Sequence, residues 1–319
     1  MKFSLTGWTR QCFLPGLMVL ISSPLLAHAP ERLPGFVVPA PSQGVIEIQT
    51  PILDELKPGQ EVMFCTYLDL EIPSDMFIES YRAFQSRAAA HHAILFSVKK
   101  PREPGTYVCG SAEESMQEET TYLAATGGGS NGDEGSSYSL PDNVLFRAVK
   151  GQQFMIQTHW LNYLDKPIRG QAVFHIQQRQ PTPKDKIADF FFISTNQFKL
   201  DPNDTNRQVQ ARCTMREDLT FFMASGHMHE YGKHVVVTVK KASGESMKIL
   251  DHSWTPHFTA VPPAYTQELK VGQGDEVIVD CTYKDKLDKP LSYPTEMCGS
   301  VGFFYPATKS MVCFDNVMP

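Results

Sequence analysis

Apolar and polar positions alternate along this chain in short runs. Glu61–Leu70 reads EVMFCTYLDL and Ala93–Val98 reads AILFSV; Gln153–Thr158, Ala172–Gln177, Ala188–Ser194, His234–Lys240 and Glu276–Tyr283 share the texture. Each run is rich in β-branched and aromatic residues, and Gly, Pro, Asn or Asp breaks the sequence about every ten residues, the pattern of many short strands joined by turns. No long stretch repeats its apolar residues at the period of a helix. The pattern predicts an all-β protein built as a sandwich or barrel.

Length divides the picture further. About 290 residues would remain after a leader, more than one core usually serves, so two domains are expected. The polar, Pro-bearing stretch QQRQPTPKDK at Gln177–Lys186 is the best joint between them. The expected layout is a first β-sandwich over 51–178, a linker over 179–186 and a second β-sandwich over 187–319.

The first residues carry export features. Lys2 and Arg10 precede a short apolar run, Phe13 to Leu26, and Ala27-His28-Ala29 offers a small-residue cleavage site, so residues 1–29 are expected to be a removable signal. Pro15, Gly16 and Pro24 break that run, and no later stretch is apolar enough to span a bilayer. Residues 30–50 form a Pro-rich lead-in. Cys12 would leave with the signal, and the remaining Cys65, Cys109, Cys213, Cys281, Cys298 and Cys313 are an even set. In an oxidising compartment, whether periplasmic or extracellular, such a set reads as disulfides, with connectivity left open by counting alone.

Charge excludes one class of partner. A net charge of −6 without a basic stripe argues against nucleic acid. The glycine-rich stretch Gly127–Gly132 has no Gly-Lys-Ser/Thr ending and reads as a flexible surface loop rather than a phosphate cradle. Asn203-Asp204-Thr205 matches a glycosylation sequon.

Histidines carry the chemistry. The chain has ten, and four fall in two tight clusters, His91-His92 and His227-Met228-His229. Side chains i and i+2 share one face of a strand, so His227 and His229 form a chelate with Met228 turned away. His91 and His92 are adjacent and can serve one ion only if the backbone bulges there. His159 and Met297 are candidate third ligands for the first and second cluster. Imidazole suits zinc, copper, iron and nickel, whereas a thioether favours soft Cu(I), so Met297 would tip the second site to copper. His175, His234, His252 and His257 read as structural.

Taken together, His91-His92, His159, His227-x-His229 and Met297-Cys298 resemble, in order and approximate spacing, the copper type II ascorbate-dependent monooxygenases. This family includes the peptidylglycine α-hydroxylating and dopamine β-monooxygenases. HHAILF, IQTHW, HMHEYGK and EMCGSVGFFY resemble its motif neighbourhoods, and the likeness runs from about Val62 to Cys313. The resemblance implies two jelly-roll-like β-sandwiches facing a solvent-filled cleft, each holding one of two copper ions. It implies an electron-transfer copper on His91, His92 and His159, with Gln157 facing the cleft beside it. The catalytic copper, on His227, His229 and Met297, would use dioxygen to hydroxylate a substrate C–H bond. Ascorbate or an equivalent donor would supply electrons, and the substrate would be a small or peptide-like molecule. The resemblance also suggests the pairs Cys65–Cys109, Cys213–Cys313 and Cys281–Cys298. The alternative is a non-enzymatic copper-storage or delivery protein on the same fold.

One departure from the family bears on substrate. Its peptide-hydroxylating branch grips a carboxylate with an arginine, an asparagine and a tyrosine, where this chain has Ser225, Gly299 and Val301. None of these supplies the charge-assisted partner a desolvated carboxylate needs. The expected substrate is neutral or largely apolar, or a larger partner gripped elsewhere.

Overall fold

The structure is a computed structural model, and it describes residues 31–86, 90–109, 120–126, 135–162, 164–255, 264–293, 296–307 and 311–317. The expected signal and the glycine-rich stretch lie outside these residues. Arg32–Pro319 makes one compact unit.

Among the described residues there is no helix, and the regular structure is all strand. The first half carries β1 (Val45–Gln49), β2 (Glu61–Glu71), β3 (Met76–Gln85), β4 (Ala90–Val98), β5 (Gly105–Val108) and β6 (Thr120–Thr126). β7 (Ser136–Ser139), β8 (Val144–Ala148), β9 (Gln153–Leu161) and β10 (Ala172–Gln178) complete it. The second half begins with β11 (Lys186–Ser194), β12 (Lys199–Leu200), β13 (Gln208–Thr214), β14 (Leu219–His227), β15 (Gly232–Lys240) and β16 (Ser246–Ser253). β17 (Ala264–Tyr265), β18 (Leu269–Val271), β19 (Glu276–Tyr283), β20 (Leu291–Ser292), β21 (Gly299–Tyr305) and β22 (Met311–Phe314) follow. Every run marked by its alternation is a strand.

Two cores flank one long sheet. That sheet runs β1-β10-β3-β8-β11-β21-β14-β17 and so crosses from the first half to the second. The crossing is the parallel pairing of Lys186, Ile187 and Ala188 with Val144, Leu145 and Phe146. A five-stranded sheet, β5-β2-β9-β4-β6, covers the first part of it, and a four-stranded sheet, β13-β19-β15-β16, covers the second. Val235, Val237 and Val239 of β15 and Val277 and Val279 of β19 point inward at every second position, filling the second core. Phe36 of the Pro-rich lead-in packs with Phe84 and Val173, so that segment is anchored to the first half.

The run Asp189–Ser194, DFFFIS, is buried throughout. Phe191 and Ile193 face the second core, while Phe190 and Phe192 join the first. A strand buried on both faces has to be apolar at consecutive positions rather than alternate ones. The same division sends Phe304 to one core and Phe303 to the other. Phe303 lies 5.1, 5.4 and 5.0 Å, ring centre to ring centre, from Tyr122, Tyr138 and Phe146 of the first half. Tyr122 also stacks on Phe190 at 5.2 Å. The halves therefore meet along a dry aromatic seam, and any solvent-filled cleft between them has to lie beyond it.

Three disulfides close the fold: Cys65–Cys109 in the first half, Cys213–Cys313 and Cys281–Cys298 in the second. The segment between β10 and β11 is more tightly tied than its polar composition suggests. Arg179 grips Asp185 with two hydrogen bonds, of 2.8 and 2.6 Å, and reaches Glu79 at 3.3 Å. Arg179 then Thr182 hold the Asp185 carboxyl well below the usual carboxylate range.

Candidate metal centres

The first cluster sits on the five-stranded sheet. β4 pairs with β9, and the register slips by one residue between Ala90 and His92, which leaves His91 as the extra residue of a bulge. The side chain of His91 lies outside the described residues. Past the bulge His92 stands directly opposite His159, and their rings are 5.1 Å apart, edge to face. His159 is further fixed by Gln85, whose Nε2 donates to its carbonyl at 3.2 Å. Its Nε2 lies 2.9 Å from Oε1 of Glu61, one strand over. Gln157 is fully buried two residues earlier on the same face, opposite Cys65 and Ile94.

The second cluster sits at the end of β14. His227 is the last residue of that strand and His229 lies just past it, yet the alternation of faces persists. Met228 is buried in the second core, while the rings of His227 and His229 stand 5.2 Å apart. Glycines allow this approach. A Cβ on Gly226 would lie 2.6 Å from Val235, and one on Gly232 would lie 2.9 Å from Cβ of Met228.

Met297 reaches the same neighbourhood through Glu296. Glu296 is fully buried, and its carboxylate accepts the backbone N–H groups of His229 at 2.5 Å, Tyr231 at 2.9 Å and Met297 at 3.0 Å. His229 and Met297 bind the same oxygen, which caps the separation of their backbone nitrogens at 5.5 Å. Burial raises the Glu296 pKa, and the three N–H groups oppose that rise. Trp254 Nε1 donates to the His229 carbonyl at 2.8 Å, and Tyr283 OH donates to the Met297 carbonyl at 2.8 Å. Both candidate-ligand segments are thus held at the nitrogen and at the oxygen of one residue, His229 and Met297.

These donors fit a soft transition metal. Two imidazoles on one ion, at the usual 2.0–2.1 Å and an angle between square and tetrahedral, have ring centres roughly 4.5 to 5.2 Å apart. Both pairs fall at the upper end of that range. Among the described residues no three His, Cys, Asp or Glu side chains converge. The expected donor sets include His91, whose side chain lies outside those residues, and the thioether of Met297.

Aromatic rings border the second cluster. Phe192 lies 6.1 Å from the His227 ring and 5.6 Å from Phe314, which in turn lies 5.9 Å from Tyr293. Ser225, two residues before His227, is buried and pairs with Val301, and His227 pairs with Gly299. A Cβ on Gly299 would lie 2.8 Å from the Ile193 carbonyl oxygen, so an asparagine would not fit there without a backbone shift. Nearby charges are matched elsewhere: Lys233 with Asp285 at 3.0 Å, and Glu230 with Lys284 at 3.2 Å.

Sequence reasoning named the six candidate ligands but left Glu296 unplaced and did not single out Trp254. Glu296 binds backbone amides, and those leave no mark in side-chain spacing. Its position beside Met297 was the one available signal. His175 and His234 are held by acids, Glu47 at 2.9 Å and Asp251 at 2.7 Å, as structural histidines are. His257 lies outside the described residues.

Comparison with known proteins gives one family match. Residues 186–319 match the model of the copper type II ascorbate-dependent monooxygenase, C-terminal domain. No curated protein matches the chain. Among solved structures it is similar to PNGF-II, with 8% identity over 81% of this chain and 65% of that one, at a TM-score of 0.32. It is also similar to the infectious bursal virus derived T=1 particle, with 10% identity over 85% of this chain and 73% of that one, at a TM-score of 0.23. The chain spans just under two thirds of the length of PNGF-II, and likeness at these scores says nothing of function.

Proposed function

We propose, from the membership of residues 186–319 in the copper type II ascorbate-dependent monooxygenase C-terminal domain family, that this chain is an exported copper monooxygenase. The observation that carries the reading is the second cluster, where two imidazoles stand at chelating separation and a buried carboxylate ties the backbone of one of them, His229, to that of Met297. His227, His229 and Met297 would hold one copper, and His91, His92 and His159 the other. Copper so bound would supply one-electron chemistry with dioxygen, with ascorbate or a similar donor as reductant.

The chain's own residues divide the work. The thioether of Met297 favours the reduced ion at the second site, whereas the all-imidazole first site suits electron transfer without substrate. Donation from His159 Nε2 to the Glu61 carboxylate fixes the tautomer of the ring and would leave Nδ1 for the metal. Gln157 lies two residues before His159 on the same strand, buried beside the first cluster. Phe192 and Phe314 keep the second site apolar on one side. With Ser225, Gly299 and Val301 in place of a carboxylate grip, the substrate is a neutral or largely apolar molecule. Three disulfides suit an oxidising compartment, and no helix among the described residues is long and apolar enough to cross a membrane. The two copper-binding halves join at 179–186.

The test is ascorbate-driven oxygen uptake by the copper-loaded protein against a panel of neutral substrates and an acylglycine. Uptake should appear with a neutral substrate and not with the acylglycine. Met297→Ile should abolish it while sparing copper at the first site, because a branched hydrocarbon offers no lone pair. Full turnover by that variant would overturn the assignment of the second site. Copper binding without any uptake would favour a storage or delivery role.

A further inference from the structure

Glu296 is not a ligand in the reading above, yet its carboxylate touches both candidate-ligand segments of the second cluster. It is fully buried, and a buried carboxylate is costly unless hydrogen bonds replace its lost water. Three backbone N–H groups do so, one each from His229, Tyr231 and Met297. His229 and Tyr231 are 67 and 65 residues away in sequence. A core that needed only packing would be served as well by an apolar side chain here. A charge aimed at these three amides instead fixes where one candidate ligand stands relative to another.

We propose that Glu296 is a positioning residue for the second metal centre: its carboxylate locks the His229 and Met297 backbones together, so that imidazole and thioether are set for one soft ion before it arrives. The inference rests on the proposed function. Its own content is that the geometry is built by this carboxylate and does not depend on the metal to draw the segments in. Gln at this position keeps the shape but turns one acceptor into a donor, so at least one of the three amides loses its partner. Asp keeps the charge but is one methylene short.

The experiment compares wild type, Glu296→Gln and Glu296→Asp, each first as metal-free protein. Amide hydrogen exchange at His229, Tyr231 and Met297 should be slow in wild type and at least tenfold faster in Glu296→Gln. Cu(I) titration against a competing chelator should then show affinity at the second site down at least tenfold in Glu296→Gln. Affinity at the first site should stay within twofold. Glu296→Asp should fall between the other two. If Glu296→Gln melts at lower temperature yet keeps second-site Cu(I) affinity within twofold of wild type, the carboxylate is structural only and the inference is overturned. Slow exchange at these amides in wild type without any Cu(I) uptake at the second site would instead overturn the proposed function, and this role with it. The two failures are therefore distinguishable.

Discussion

Removing the two disulfides of the second half, one at a time, should separate global stability from the local order of the metal site. All four cysteines are buried, so Cys→Ala pairs leave similar small voids and differ chiefly in the loop each bridge closes. Cys213–Cys313 spans 100 residues and Cys281–Cys298 spans 17. Chain-entropy arguments assign about 4.7 kcal/mol to the longer loop and about 3 kcal/mol to the shorter. Urea unfolding of the metal-free variants should therefore rank Cys213→Ala/Cys313→Ala as the less stable by about 1.5 kcal/mol. Copper binding should rank them the other way. Cys298 follows Met297 directly, and its partner Cys281 lies two residues before Tyr283, whose hydroxyl holds the Met297 carbonyl. Cys281→Ala/Cys298→Ala should thus lose at least about tenfold in second-site Cu(I) affinity, equivalent to about 1.4 kcal/mol, while the other pair stays near wild type. If the variant lacking the long bridge is also the weaker copper binder at that site, Met297 is not placed by its neighbouring bridge and the reasoning fails.

Three further outcomes are expected. Phe303→Ala removes the ring on which aromatics of both halves converge and should cost about 3 to 5 kcal/mol, splitting a single calorimetric transition into two. A single transition at the wild-type temperature would refute the seam. A Cβ on Gly302 would lie 2.1 Å from the Met223 carbonyl oxygen, so Gly302→Ala should destabilise by about 3 kcal/mol or more, read as a lowered urea midpoint. Asp185 has its folded pKa held down by Arg179, so its contribution is present above the unfolded carboxylate value of about 3.9 and is lost as pH falls through the folded value. Wild type and Asp185→Asn should differ most at neutral pH and converge in strong acid, by thermal melts across pH.

The fold class was legible because alternation and turn residues are local properties, and every run chosen for them became a strand. The ends were less so: β11 begins at Lys186, inside the stretch expected to be the linker. That stretch is polar because Arg179 and Asp185 use their charges on each other, and a tied turn has the composition of a loose one. The continuity of the long sheet was not legible, since the pairing of β8 with β11 joins residues more than forty positions apart, such as Val144 and Lys186. The His-x-His geometry could be read from face alternation alone. Its bracing by Glu296 could not, because backbone amides carry no sequence signature.

The irregularity at His91 makes the first cluster depend on counting as well as on chemistry. His92 meets His159 across the strands only because one residue is left over between Ala90 and His92. Insertion of a single residue between His92 and Ala93 would leave all six candidate ligands intact in the text of the chain, but would part His92 from the register that Ala93 keeps with Thr158. Yet a strand slipped by one residue presents every side chain to the opposite face. A relative could keep each histidine and still lack the site, through an insertion of three nucleotides that no tally of matching letters would flag. Length within this short segment is part of the motif.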